Sequence, residues 1–185
     1  MTKTLLLLAA VAAAVLLLEF VFPGIKTLLR RSRTALRLST LPGSEYIVVT
    51  DISIGPRSRS AVKIDYAVVS RHGIFVIQEK PLGGRIFGKV TDERWVRRVL
   101  WKEETFKNPL IRSRNQIYAL CDVLNLEPSV FIPVVVFSGG GSSWVDTTAL
   151  IVSGFEMKKA ILSHKDILLD TDTMQNAAIT LGELR

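Results

Sequence analysis

The spacing of apolar residues changes several times along the chain, and each change marks an element. Residues 5–22 are apolar except for Glu19. From Ile25 to Leu41 the apolar positions Leu28, Leu29, Ala35, Leu36, Leu38 and Leu41 recur at roughly helical spacing, and Pro42-Gly43 stops the helix. Tyr46–Ile54 alternates and predicts a strand. Ile64–Ser70 and Ile74–Gln78 are β-branched, apolar runs flanking Arg71-His72-Gly73, which predicts a hairpin buried over most of its length. Arg85–Val90 and Arg94–Trp101 read as a second pair of short strands around Thr91-Asp92-Glu93. Asn108-Pro109 opens a helix through Leu124, with proline suited to a first turn. Phe131–Phe137 is unbroken apolar sequence, as expected of a strand buried on both faces. A loop at 139–143, a strand at Ala149–Val152 and helices at Phe155–Ser163 and Thr171–Leu184 complete the chain. Strands and helices in this order predict a mixed α/β domain.

The first apolar run makes a helix about 27 Å long at about 1.5 Å per residue, close to the thickness of a hydrocarbon core. Phe20-Val-Phe-Pro-Gly24 occupies the place where a signal peptide would carry a small-x-small cleavage site, so the run reads as an uncleaved transmembrane anchor. Lys3 stands before it, while Lys26, Arg30, Arg31, Arg33 and Arg37 follow, which places the remainder of the chain in the cytoplasm. Three segments are expected: an anchor over 1–24, a basic juxtamembrane helix over 25–40, and one domain over 41–185.

Net charge is +7, but it is unevenly distributed. Residues 26–120 hold 19 Lys/Arg against 8 Asp/Glu, and residues 121–185 hold 4 against 8. A basic first half suits nucleic acid or an anionic membrane surface, with a protein partner as a further class. The single cysteine, Cys121, rules out an internal disulfide, and with two histidines the chain has few ligands for structural zinc. Gly139–Gly141 lacks the Lys-Ser/Thr ending of a phosphate loop, and Ser142 and Ser143 have no histidine at a hydrolase spacing. Trp95, Trp101 and Phe106 lie among basic residues, but one aromatic face packed on the core is the favoured reading.

The polar end of the hairpin carries the more specific chemistry. Asp65 opens one strand and Gln78-Glu79-Lys80 closes the other, so an antiparallel pairing brings them together. Metal-dependent nucleases hold Mg²⁺ through carboxylates on adjacent strands and use a lysine beside the attacking water or the developing phosphate charge. Alternation puts Gln78 and Lys80 on one face and Glu79 on the other; a bulge near Pro81 would turn Glu79 inward.

Residues 41–124 resemble the nuclease-related domain (NERD) family, a branch of the PD-(D/E)xK restriction-endonuclease-like superfamily. The resemblance rests on Ile64-Asp65, Val68-Val69-Ser70, Gly73-Ile-Phe-Val-Ile77 and Lys80, then Gly84, Ile86, Gly88, Trp95, Asn108-Pro-Leu110 and Ala119-Leu120. It implies a central sheet flanked by helices and ancestral nuclease chemistry at Asp65, Gln78, Glu79 and Lys80, with Mg²⁺ on Asp65 and Glu79 if the site is active. Departures from the family pattern weaken that chemistry. Gln78 replaces the Glu of a Glu-Thr-Lys strand ending, and Arg30-Arg31 replaces a Gly-Glu pair. Lys63, Arg112 and Gln116 stand where Gln, Gln and His are usual. Two readings remain open: a degenerate domain that binds nucleic acid or a partner, and a working Mg²⁺-dependent nuclease that hydrolyses DNA. Arg57, Arg59, Lys63, Arg94, Arg97, Arg98 and Arg112 are the candidate nucleic-acid contacts.

Overall fold

The computed structural model describes residues 33–55 and 61–185. The apolar run at 5–22, the basic residues up to 32 and the loop positions Arg57 and Arg59 lie outside the described residues. Among the described residues no helix is long and apolar enough to cross a membrane.

Two sheets and several helices give the mixed α/β architecture expected. The larger sheet has five strands: β1 (Tyr46–Ile54), β2 (Val62–Ser70), β3 (Gly73–Lys80), β7 (Phe131–Phe137) and β9 (Leu150–Ser153), adjacent in that order. β1, β2 and β3 form an antiparallel meander, and β3, β7 and β9 run parallel. Between β3 and β7 the chain builds β4 (Gly84–Lys89), β5 (Arg94–Val99), β6 (Lys102–Lys107) and helix α1 (Pro109–Leu124). β8 (Gly141–Asp146) pairs in parallel with β4, which gives a four-stranded sheet in the order β6-β5-β4-β8. Helices α2 (Met157–Ser163) and α3 (Thr171–Glu183) end the chain.

Both faces of the larger sheet are buried because β7 is apolar throughout and β3 is apolar from Gly73 to Ile77. β3 residues Phe75 and Ile77 join Val134 and Val136 of β7 under Leu38, Met157 and Ile161, so residues 33–38 and α2 cover that face. Ile74 and Val76 point the other way, into a cluster closed by Leu120 of α1 and Met174, Ala177 and Leu181 of α3. A third cluster joins the sheets: Ile86 and Trp95 pack against Leu110, Val135 and Phe137.

Two strands depart from the sequence reading. The segment Arg94–Trp101 is not one strand, because Leu100 takes a left-handed backbone (φ 53°) and folds β6 back on β5. The loop expected at 139–143 is in part strand β8, held to β4 by a main-chain ladder that asks for no apolar side chain. Gly141 is required there, since its φ is 122° and a Cβ would lie against the Gly84 backbone.

Trp95 is fully buried, its Nε1 donates to the Lys89 carbonyl at 2.9 Å, and a Cβ on Gly88 would overlap its indole ring. Gly88→Val displaces this ring and should lower stability by about 1–3 kcal/mol, the cost of overpacking. Urea denaturation followed by circular dichroism tests this; an unchanged midpoint would mean that the ring can move freely.

Candidate functional site

The β2–β3 ladder is continuous from Ser70↔Gly73 to Tyr66↔Ile77, and beyond it the Asp65 side chain takes over from the backbone. The Glu79 main-chain N–H donates to Asp65 Oδ2 at 3.3 Å. The same level is irregular on the other side of β2. The β1–β2 register pairs Thr50 with Tyr66 and Ile52 with Ile64 but skips the Asp51–Asp65 step, and Asp51 has a left-handed backbone (φ 56°). Strict alternation breaks there, so Val49 and Ile52, three residues apart, enter the same core cluster, as do Ile64 and Ala67. The half-buried Asp65 therefore stands where the meander kinks and opens.

Three residues end β3, and the parallel pairing with β7 fixes their faces. Gln78 pairs with Val135, Glu79 with Val136 and Lys80 with Phe137, with no interruption. Val135 and Phe137 belong to the cluster under α1 and the second sheet, and Val136 to the cluster under α2. Gln78 and Lys80 thus share one side, and Glu79 takes the other. No bulge turns Glu79 toward Asp65. Its two carboxylate oxygens are buried without a hydrogen-bond partner among the described residues, as are Thr34 Oγ1 and Ser138 Oγ.

Gln78 is fully buried, and the amide orientation that satisfies its surroundings engages both ends: the nitrogen then donates to the Pro109 carbonyl at 3.0 Å and the oxygen accepts from Lys80 Nζ at 3.3 Å. Burial lowers the Lys80 pKa, the nearby Arg112 guanidinium lowers it further, and the Asp65 carboxylate opposes both. Arg112 Nη2 donates to the Lys63 carbonyl at 3.0 Å, and Gln116 Nε2 donates to the same oxygen at 2.7 Å. A cleft of about 740 Å³ opens beside them, lined by Asp51, Lys63, Asp65 and Arg112 with Glu183 and Arg185 from the chain end.

Helix α1 sets this geometry, and Asn108 sets α1. The Asn108 side chain accepts from the Leu110 N–H at 2.9 Å and caps the helix. Its Nδ2 also reaches the carbonyls of Val90 (3.1 Å) and Asp92 (2.7 Å), tying the β4–β5 turn to the start of α1.

The remaining sequence candidates are dispersed. Arg94, Arg97 and Arg98 lie on the second sheet, away from this cleft. Arg97 turns inward to the Gly83 carbonyl (2.6 Å) and Glu104 (3.1 Å). Arg94 bonds Thr105, and Arg98 pairs with Glu103. Trp95 and Phe106 pack in the core, but Trp101, expected on the same packed face, is 83% exposed at the β5–β6 turn because the left-handed Leu100 ends the strand before it. The sequence reading missed Asp51, whose signal was its position opposite Asp65. It also missed Ser113, a buried polar residue on the apolar stripe of α1 that contains Leu110 and Leu120.

The donor set on the Asp65 side does not fit a divalent cation. It offers one carboxylate from the β2–β3 pair and a carboxamide already bonded, beside the cations Lys80 and Arg112. Among the described residues no three carboxylate, histidine or cysteine groups converge as metal ligands.

Residues 28–138 match the nuclease-related domain family, and the chain belongs to it. An uncharacterized protein of Bacillus anthracis is 28% identical over 149 residues, covering 78% of this chain and 69% of that protein. No solved structure gives a significant match.

The causes of the Lys80 shift give a signed test. Removing the repulsion in Arg112→Ala should raise the Lys80 pKa, and removing the attraction in Asp65→Asn should lower it further. Side-chain NMR titration of labelled lysine reads both. Because the pKa is depressed in the folded chain, stability should rise with pH between that lowered value and 10.5. Asn108→Ala removes a cap and leaves buried carbonyls without a donor. It should cost about 2–4 kcal/mol in urea denaturation.

Proposed function

We propose that this NERD-family chain is a membrane-anchored, cytoplasmic protein whose nuclease site is degenerate and whose cleft beside Asp65 binds the phosphate backbone of nucleic acid through Lys63, Arg112 and Arg185. The observation that carries this reading is the engagement of Gln78. The resemblance implies a carboxylate ligand at this strand position. Here a neutral amide spends its oxygen on Lys80 and its nitrogen on Pro109. The face that would hold a metal is therefore short of negative charge.

Beside Lys80 and Arg112 the electrostatics disfavour a divalent cation. A positive side chain about 6–10 Å away repels a divalent ion by roughly 3–6 kcal/mol at an effective dielectric of about 20. Lys80 and Arg112 contribute such repulsion, and Asp65 offsets part of it. A phosphodiester would be met by Lys63, Arg112 and Arg185 on the wall, with Asp51, Asp65 and Glu183 opposing it on the same lining and the start of α1 beside them. The apolar run at 5–22, followed by basic residues, supports the anchor and its orientation.

A working nuclease is the second reading, favoured by one observation: the Asp65 carboxylate lies close enough to Lys80 to raise the pKa of that ammonium. It would hydrolyse DNA with Mg²⁺ through Asp65, Gln78 and Lys80. Full-length protein in detergent, incubated with supercoiled plasmid and Mg²⁺ or Mn²⁺, should nick no faster than Asp65→Ala. DNA binding should persist in EDTA and weaken steeply with salt. Arg112→Ala should reduce the salt slope by about 0.9, the value for one duplex phosphate that is no longer neutralised. Metal-dependent cleavage abolished by Asp65→Ala would establish the nuclease instead. A flat salt dependence would point to a protein partner or lipid.

A further inference from the structure

The outer face of the four-stranded sheet forms a second surface, separate from the cleft. Ile86 and Trp95 point into the core, so alternation turns their neighbours outward. The register aligns Trp144, Phe87 and Val96 as one row across β8, β4 and β5. Phe87 and Trp144 are stacked, with ring centroids 5.2 Å apart and planes 9° apart, and Trp144 remains 54% exposed on an edge strand. A tryptophan left this open adds little to a fold whose inner sheet face is already well packed.

Cations flank this row on both sides. Arg85 pairs with Arg98 on one side, about 7 Å along the strands, and Lys89, Arg94 and Lys107 align on the other. All five are exposed. The Arg98 guanidinium lies 5.4 Å from the Phe87 ring centre. Two acids, Glu103 and Asp146, occupy the outer ends of these rows, and Glu103 pairs with Arg98. A groove of about 620 Å³ runs between Trp144, Phe87 and Val96 on one side and Lys89 and Arg94 on the other, with Asp92 and Asp146 also on its lining.

We propose that this face is a stacking platform for single-stranded nucleic acid, with bases on Trp144 and Phe87 and phosphates on the flanking arginines and lysines. An open β-face with aromatic rings in the middle and positive charge at the sides matches the chemistry of an unpaired strand, whose bases present flat π-surfaces and whose backbone is anionic. A duplex hides its base faces and would meet the charges alone. The protruding apolar side chains that a lipid surface would call for, Leu100 and Trp101, sit at the β5–β6 turn, whereas on the face itself Phe87 and Val96 lie half-buried between the charged rows. The proposal shares with the cleft reading the class of ligand but none of the residues.

The test uses full-length protein in detergent and a fluorescein-labelled oligothymidine of about ten nucleotides, read by anisotropy. Binding should quench tryptophan fluorescence. Trp144→Ala should weaken it roughly 5- to 100-fold, the range for removing one base–aromatic stack, while Trp144→Phe retains most of it. Lys89→Glu with Arg94→Glu should flatten the salt dependence by about 0.7 for each phosphate of the single strand that is no longer neutralised. An abasic strand of the same length should bind wild type no better than Trp144→Ala binds oligothymidine. Trp144 is exposed, so circular dichroism should show the fold intact in its variants.

Unchanged affinity in folded Trp144→Ala would overturn the platform. So would failure of that variant to bind anionic vesicles while it still binds oligothymidine. Arg112→Ala keeps the two sites apart. If it alone weakens binding, the platform fails and the cleft reading stands; if only the Trp144 variants weaken it, the reverse holds.

Discussion

Strand β3 is buried on both faces from Gly73 to Gln78, and it leaves the core only at Glu79 and Lys80. A strand so enclosed cannot slip or rotate without moving a whole apolar set to the wrong side. Its parallel ladder with β7 therefore fixes the direction of each polar residue at its end. Gln78 and Lys80 are sent toward α1, and Glu79 is sent under residues 33–38 and α2. The chemistry available at Asp65 follows from that allocation. A carboxylate displaced by one position along β3 cannot be recovered by a small rearrangement, because the return would need a bulge inside a buried ladder.

The charges around Asp65 have a related consequence. Lys80 is partly buried, which lowers its pKa, and Arg112 adds repulsion that Asp65 only partly offsets. The Lys80–Arg112 side of the site is thus poorly matched to a divalent cation. Gln78 and Arg112 act in the same direction, since one is neutral and the other positive.

Much of this was legible in the sequence because it rested on burial. The hairpin, β7, α1 and α3 announce themselves through apolar periodicity and through the Asn108-Pro109 cap. Alternation alone put Gln78 and Lys80 together. Less legible were β6 and β8, whose sequences Lys-Glu-Glu-Thr-Phe-Lys and Gly-Ser-Ser-Trp-Val-Asp carry weak patterns. Both are edge strands of a sheet with one open face, so backbone pairing holds them and few side chains are constrained. The kink at Asp51 and Asp65 was hidden for another reason. A left-handed residue inside a strand reverses the alternation after it, and periodicity arguments assume that no such reversal occurs. The three arginines at 94, 97 and 98 read as one basic strip in one dimension, but pairing with β6 turns Arg97 inward and leaves Arg94 and Arg98 outside.

Asn108 connects the two surfaces mechanically. Its side-chain oxygen caps α1, whose first turn supplies both the Pro109 carbonyl that holds Gln78 and the Arg112 guanidinium on the cleft wall. The nitrogen of the same side chain grips the carbonyls of the β4–β5 turn, between Lys89 and Arg94 of the second sheet. The buried Asn108 has no freedom to satisfy one set of partners without the other. The second sheet is therefore fixed to α1, and through α1 to the end of β3, by a side chain and by the shared cluster of Ile86, Trp95, Leu110 and Phe137. A strand of nucleic acid held on the open face would thus be held at a fixed distance from the cleft. A rigid separation of this kind lets two weak anion-binding surfaces act together on one chain, because the second forms at high effective concentration once the first is occupied.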